Sequence, residues 1–188
     1  MNKVKYGLRN VYFAKYTIGE NNAYTYSTPK RLPGGVSLSI SANGDRAEFY
    51  ADDILYFNAD NNQGYTGTLT IADITDDFKK DILGQVQDAN GALIENSDAS
   101  TSPFALLFEV QGDKKPRRFV YYDCSVARPG SEFNTKESSV SPATDALEIT
   151  MKPRLSDNAV KAVLEKSDTN ETAYNNFFSS VYEKTLSL

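Results

Sequence analysis

Apolar and polar residues alternate in short runs along most of this chain, and a period of two is typical of half-buried β-strands. The clearest run lies at residues 36–41, where valine, leucine and isoleucine alternate with three serines. Residues 67–72 repeat the pattern with leucine and isoleucine between threonines. Runs rich in aromatic and β-branched residues occur at 4–16, 23–28, 104–110, 118–127, 145–152 and 159–164. This spacing argues against a helical fold and favours sheets with one apolar face.

Two stretches depart from the period of two. Thr75 is placed to cap a short helix over residues 76–83, whose first turn carries two aspartates and whose end is marked by Gly84. Near the C-terminus, aromatic and apolar residues recur at helical spacing over residues 171–184. The sequence therefore predicts a mainly β fold, a β-sandwich or partly open barrel with one or two short helices packed on it.

Turn signals predict how neighbouring strands connect. The dipeptide Asn43-Gly44 is favoured in two-residue type I′ turns. It predicts a hairpin in which residues 46–51 return as the partner of residues 36–41. The region from about 42 to 64 is less regular than its surroundings, and we interpret it as a long hairpin arm outside the core.

A length of 188 residues fits one domain that buries a sizeable core without disulfides, and one cysteine cannot make an internal disulfide. We expect residues 1–154 to form the core and residues 155–188 to add a strand and an amphipathic helix, within the same domain or as an appendage. No apolar stretch resembles a signal peptide or is long enough to span a bilayer. We therefore expect a soluble protein made in a cytoplasm, with no membrane partner.

Few residues in this chain are suited to chemistry. There is no histidine, and no nucleophile elbow, phosphate-binding glycine loop or metal-ligand spacing occurs. Asp52 and Asp53 are adjacent, so in a strand their carboxylates would point to opposite faces instead of converging. Cys124 lies within a strand pattern and has no histidine to activate it. We therefore predict that the protein is not an enzyme and has no catalytic residue, cofactor or metal site.

Charge is distributed unevenly along the chain. The formal net charge is −5, which gives no support to direct binding of a phosphate backbone. Residues 1–41 carry a net +5, residues 42–113 a net −11 and residues 114–188 a net +1. Solvated faces of mixed sign would explain this pattern. Alternatively, a basic segment of one copy meets an acidic segment of the next copy and fixes the register between subunits.

Several segments, taken in order, resemble the major tail proteins of long-tailed bacteriophages of Gram-positive hosts. They are YGLRNVYFAKYT at 6–17, LPGGVSLSIS at 32–41, GDRAEFYADD at 44–53, GYTGTLTIADITDDFKKDILG at 64–84, FALLFEVQGDKKPRRFVYYDCSVARPG at 104–130 and TDALEITMKPR at 144–154. The resemblance covers most of the chain and becomes less distinctive after residue 157. It implies a tail-tube subunit with a β-sandwich fold and a helix on its outer side.

The same resemblance implies the partners and the location. Proteins of this family form homo-oligomeric, hexameric rings that stack into a tube around a tape-measure protein. A tail terminator and a distal tail protein bind the ends of the tube, and DNA passes through the lumen without specific binding. The expected location is the tail tube of the virion, which is assembled in the host cytoplasm.

The resemblance also suggests roles for two sets of residues. The hydroxyl-bearing strand faces are candidate lumen surfaces, with residues Ser37, Ser39, Ser41, Thr68 and Thr70. The arm is a candidate contact between stacked rings, in which aspartates meet bases of the adjacent ring. The candidate inter-ring residues are Asp52, Asp53, Tyr56, Phe57, Lys3, Lys5 and Arg9.

Two other functions fit the same sequence. A β-sandwich carbohydrate-binding module would use surface tyrosines, of which the chain has enough among its twelve, and would stay monomeric. A related virion part, such as a head–tail terminator, or a tube protein of a bacterial injection system would instead form isolated rings that do not elongate.

Overall fold

The computed structural model describes residues 4–44, 46–112, 114–133, 135 and 142–185. Strands dominate these residues and the helices are short, which confirms the predicted mainly β fold. The strands and helices are β1 (Lys5–Ile18), β2 (Tyr24–Tyr26), β3 (Lys30–Arg31), β4 (Gly35–Ala42), β5 (Arg46–Ala51), β6 (Ile54–Asp60), β7 (Tyr65–Ile71), α1 (Asp76–Asp81), β8 (Val86–Gln87), β9 (Leu93–Ile94), β10 (Phe104–Gly112), β11 (Arg117–Val126), β12 (Asp145–Lys152), β13 (Lys161–Glu165) and α2 (Glu171–Asn175). Short 3₁₀ segments lie at Glu20–Asn22 and Asn176–Phe178.

Nine of the described strands form one antiparallel sheet, whose main path runs β2-β1-β10-β11-β12-β7-β4. Two further strands join it at the side, because β3 pairs with β1 and β13 pairs with β11. β11 has two neighbours on one edge: residues 117–121 pair with β13, and residues 123–126 pair with β12. A shift in the β10–β11 register occurs between Phe104 and Leu106, opposite the point where the neighbour changes.

The sheet curls until its two ends, β1 and β4, face each other. Gly35 at the start of β4 lies so close to β1 that a Cβ there would come within 3.0 Å of the Val11 side chain. No hydrogen-bonded ladder joins β1 to β4 among the described residues, so the curled sheet is an open barrel. The outer edge of β4 and the part of β1 that β2 and β3 leave uncovered border a seam along its side.

The main hydrophobic core fills the inside of the curled sheet. Leu69 and Ile71 of β7 and Leu147 of β12 point into it, as their alternation with polar residues predicts. The helix α1 closes the core because Phe78 packs edge-on against Phe13, with ring centroids 5.0 Å apart. Thr75 caps this helix as predicted, accepting a hydrogen bond from the backbone N–H of Phe78.

A second hydrophobic cluster covers the outer face of β1, β10 and β11. Its sheet residues are Ala14, Ala105, Leu107, Val120 and Tyr122. The C-terminal segment, residues 171–185, covers them with Phe177 and Val181. Arg154 is 4% exposed and anchors this segment by donating to Glu183 at 2.6 Å and to Asp157 at 2.9 Å. The C-terminal segment is thus packed on the sheet by both apolar contacts and ion pairs.

The predicted helix over residues 171–184 is wrong in its length. Regular α-helix covers Glu171–Asn175 and is followed by the 3₁₀ segment Asn176–Phe178. Asparagines and serines occupy this stretch, and such residues compete for local backbone hydrogen bonds in a helix interior. The N–H groups of Ser179 and Ser180 both bond to the carbonyl of Asn176. The aromatic stripe still packs inwards despite the shorter helix.

The predicted hairpin at Asn43-Gly44 is also wrong. β4 pairs with β7, and β5 pairs with β6. Asn43 instead pairs with the returning chain, since its N–H bonds to the carbonyl of Gly64 at 2.9 Å. The chain leaves the sheet at this point and re-enters it at β7. The two-residue turn lies at Asp52-Asp53, where both residues have positive φ, 51° and 61°, as type I′ turns require.

The ion pairs of Arg154 predict that acid destabilises the fold. The guanidinium of Arg154 holds the pKa of Asp157 well below its ordinary value. A depressed pKa in the folded state adds stability above the ordinary pKa of about 4, and this contribution is lost as pH falls towards the lowered value. We expect the Asp157→Asn variant to lose less stability than wild type between about pH 4 and pH 2. Urea unfolding at a series of pH values measures this, and parallel curves for the two proteins would contradict it.

Candidate assembly surfaces

The hairpin of β5 and β6, residues 46–60, projects from the sheet, and we call it the arm. Its strands pair with each other in antiparallel register, with Phe49 opposite Phe57 and Ala51 opposite Ile54. The chain enters the arm after β4 and leaves it before β7, so the arm is attached to one end of two central strands. None of the arm side chains that the structure describes belongs to either hydrophobic cluster.

The arm is unusually apolar for an exposed hairpin. Its large exposed side chains are Phe49 at 59%, Tyr50 at 61%, Ile54 at 61%, Leu55 at 42%, Tyr56 at 71% and Phe57 at 58%. Residues 54–57 are consecutive, and successive side chains of a strand point to opposite faces, so both faces of the arm are apolar. Contiguous apolar surface on a folded protein marks an interaction site or an aggregation risk. An isolated two-stranded hairpin is also marginal in water, which favours a partner for the arm.

A second surface, on β4, β7 and β12, carries hydroxyl groups. Ser37, Ser39 and Ser41 lie opposite Thr70, Thr68 and Thr66 in the β4–β7 register. β12 extends the same face, with Thr150 opposite Thr66 and Glu148 opposite Thr68. We call these residues the hydroxyl face. The sequence-predicted lumen residues therefore share one side of one sheet.

Glu148 is the acidic residue at the middle of the hydroxyl face. The hydroxyl of Thr68 lies 2.9 Å and 3.0 Å from its two carboxylate oxygens, so Thr68 fixes the position of this charge. The sequence analysis missed Glu148, Thr66 and Thr150. The alternation of residues 145–152 signalled an outward face, but only the strand register shows that this face continues the one formed by the serines.

The predicted inter-ring residues lie on two separate elements. Asp52 and Asp53 form the tip of the arm, and Tyr56 and Phe57 lie on β6. Lys5 begins β1 and is exposed. Lys3 lies outside the described residues, and Arg9 has a partner in its own chain.

Arg9 belongs to a buried ion cluster. Glu109 of β10 is 1% exposed, and its two carboxylate oxygens accept hydrogen bonds from Nε of Arg9 and from Nε of Arg118, the latter at 2.8 Å. Arg118 also donates to the carbonyl of Tyr174 and stacks 3.9 Å from the centre of its ring. The cluster therefore joins β1, β10 and β11 to the C-terminal segment. The Arg9 side chain remains 47% exposed and faces solvent on one side.

Candidate catalytic groups do not converge in the described part of the chain. Cys124 is fully buried, and burial raises the pKa of its thiol, which keeps it protonated. Asp52 and Asp53 lie in an exposed turn. In the residues described, no cluster of three or more potential metal ligands occurs. No helix among these residues is long and apolar enough to cross a membrane.

Most described tyrosines of the core sheet are packing residues. Tyr16, Tyr121, Tyr122 and Tyr174 are buried. Burial raises the pKa of Tyr121 and of Tyr122 to about 12, so these phenols stay neutral. Exposed tyrosines occur on the arm and at Tyr6. A sugar-stacking surface, which needs several exposed rings on one face, would have to use the arm.

Comparisons with known proteins support the fold. The sequence matches no protein-family model and no curated protein. Its structure is similar to that of the anti-feeding prophage cap, described as a tube terminating cap and solved by cryo-electron microscopy, with a TM-score of 0.50 and 10% sequence identity. The match covers 87% of this chain and 94% of the cap. At this identity the likeness establishes a shared fold, which spans nearly the whole of both proteins.

Proposed function

We propose that this protein is a structural subunit of a phage-type tail, and that copies of it assemble into rings that stack into a tube. The main support for this proposal is the apolar arm, because its six large apolar side chains remain exposed within the described chain. Each of them gains roughly 1.5–3 kcal/mol when fully buried, so assembly would strongly favour covering them. A catalytic function has no comparable support, and we propose a structural role.

The hydroxyl face and the free strand edges support the same proposal. The outer edge of β4 has no ladder partner among the described residues, and β2 and β3 cover only part of the outer edge of β1, so neighbouring copies can complete both edges and close a ring. A ring built in this way would turn one sheet face towards a central channel. Hydroxyl groups and the carboxylate of Glu148 suit a lumen that lets DNA pass without tight binding, since the hydroxyls carry no positive charge and the carboxylate repels phosphate.

This proposal includes the partners expected for a tail tube. Rings would enclose a tape-measure protein, and a tail terminator and a distal tail protein would bind the ends. DNA would travel through the finished tube, and the protein would reside in the virion. The likeness to a tube terminating cap from an anti-feeding prophage is consistent with a tail-derived part.

The cap suggests a second candidate function. A terminating protein ends a tube instead of extending it. Such a protein would form single rings, because one of its ring faces lacks a stacking contact. The exposed arm favours the tube subunit, since it offers a stacking contact that a terminating face would not need.

Negative-stain microscopy of the concentrated, purified protein tests the two candidates. We expect tubes with a central channel, of variable length, that grow with protein concentration. Single rings that do not elongate would favour the terminating function. A protein that remains monomeric at the highest soluble concentration, measured by light scattering, would contradict both.

A further inference from the structure

We propose that the tip of the arm inserts into a cleft at the far end of β4 on the next copy of this chain. The proposal rests on the assembly proposed above and names the surface that receives the arm. The cleft lies where β1 and the start of β4 face each other across the open seam of the barrel. Leu8, Val11, Leu32 and Gly35 line it, and Arg9 and Arg31 stand at its sides.

The size of the cleft suits a side chain and not a small-molecule ligand. Its volume is about 190 Å³. Pockets for drug-sized ligands or cofactors usually hold about 300–1,000 Å³, so this one is too small for them. It exists because β1 and β4 approach each other without forming a ladder, and because β1 is irregular here. The register of β1 on β10 shifts between Arg9 and Tyr12, and Asn10 has a φ of 52°.

The chemistry of the cleft matches the tip of the arm. Leucine and valine form part of its lining, and two arginines add positive charge. The tip presents two carboxylates, Asp52 and Asp53, followed directly by Ile54, which is 61% exposed. Ile54 against the apolar part of the lining and Asp53 beside Arg31 satisfy both features together. Arg9 is already bonded to Glu109, which leaves Arg31 as the main partner for the new charge.

The position of the cleft makes the contact run from one copy to the next. The cleft lies at Gly35, where β4 begins, and the arm leaves the sheet after Ala42, where β4 ends. Seven residue steps of a strand span about 23 Å, so the two surfaces lie at opposite ends of the molecule. A contact between two different surfaces of identical copies is head-to-tail, and repeated without closure it builds a filament. The arm and the cleft would therefore join one ring to the next along the tube axis.

Charge exchange between the arm and the cleft tests this assignment. We expect Arg31→Glu to raise the critical concentration for tube growth at least roughly tenfold, because it places an acid against the acidic tip. Reversing the tip with Asp52→Lys and Asp53→Lys has the same expected effect. Combining all three substitutions restores opposite charges and is expected to recover most of the loss. Lys30→Glu is the matched control. The substitution makes the same change of charge one residue away, at a side chain that pairs with Asp81 on α1.

Disulfide capture tests the same contact without substituting the Asp52-Asp53 turn. An Ile54→Cys protein is mixed with an Arg31→Cys protein, assembled and oxidised, and we expect a cross-linked dimer on a non-reducing gel. Each variant alone is expected to give little dimer, and the buried Cys124 does not take part. If tubes form with no cross-link and Arg31→Glu assembles normally, the cleft is not the receptor, although the tube function stands. If the wild type forms neither tubes nor rings, both proposals fail.

Discussion

Replacing Phe49, Tyr56 and Phe57 together with serine is expected to abolish assembly while leaving the fold of the core intact. These side chains are between 58% and 71% exposed and contact neither hydrophobic cluster, so a single chain loses little by their removal. At an interface, each would contribute roughly 1.5–3 kcal/mol through burial. Every 1.4 kcal/mol changes an association constant about tenfold. The combined loss would therefore raise the concentration needed for assembly above any accessible protein concentration.

The measurement pairs electron microscopy of the assembled state with thermal unfolding of the unassembled state. The matched control replaces two exposed apolar residues elsewhere, Val86 and Ile94, with serine. These residues pair with each other in a small hairpin and are 56% and 46% exposed. We expect the control to assemble as wild type does. Tubes of normal length from the triple arm variant would show that the arm is not an assembly surface.

Glu109→Ala is expected to destabilise the folded chain by roughly 3–5 kcal/mol, the cost of breaking a buried ion pair. Glu109 has a side chain only 2% exposed, and it neutralises Arg118, which is itself 15% exposed. Without the carboxylate, Arg118 would be left largely buried beside two aromatic rings with no counter-ion. Because Arg118 also holds the carbonyl of Tyr174, the C-terminal segment would loosen first.

Two further variants separate the effect of charge from that of space. Glu109→Gln keeps the volume and some hydrogen bonding, and we expect an intermediate loss. Arg9→Ala removes the partner that is 47% exposed and leaves Glu109 paired with Arg118, so we expect a smaller loss than in Glu109→Ala. Urea unfolding followed by circular dichroism gives the three values. Equal losses in Glu109→Ala and Arg9→Ala would show that burial of the carboxylate does not govern this cluster.

The alternating patterns predicted the architecture well because burial of one sheet face is a local requirement. Leu69 and Ile71 point into the core, and their threonine neighbours point outwards, as the period of two requires. The Thr75 cap was predictable for a similar reason, since the helix begins directly after the residue that caps it. Neither inference needed knowledge of which strands become neighbours.

Strand pairing was the part that local reasoning missed. Asn43-Gly44 has a strong intrinsic preference for a tight turn, but pairing β4 with β7 places Leu38 beside Leu69 and lines up the serines with the threonines. This sheet-wide register outweighs the turn preference, and the chain makes its tight turn nine residues later. The arm was therefore predicted as a region and residues 46–51 as a strand, whereas the pairing of that strand with β6 and the turn at Asp52-Asp53 were missed.

The assembly surfaces were partly predictable for the same reason. The residues of the hydroxyl face could be predicted strand by strand, but the contribution of Glu148 depends on a β7–β12 pairing between residues 80 positions apart. The cleft beside Arg31 depends on the approach of two sheet ends that form no ladder. No periodic signal marks such an approach, because it results from the curvature of the whole sheet.

The long-range pairing of β1 also determines when this chain can fold. Its main partner is β10, with Arg9 opposite Glu109, a hundred residues later. A ribosome adds about 5–20 residues per second, so the first strand waits on the order of 5–20 s for its neighbour to be synthesised. Phe177 and Val181, which cover its outer side, emerge later still. Before that, β1 can pair only with its local neighbours β2 and β3, so its apolar residues must be kept from aggregating until most of the protein has left the ribosome.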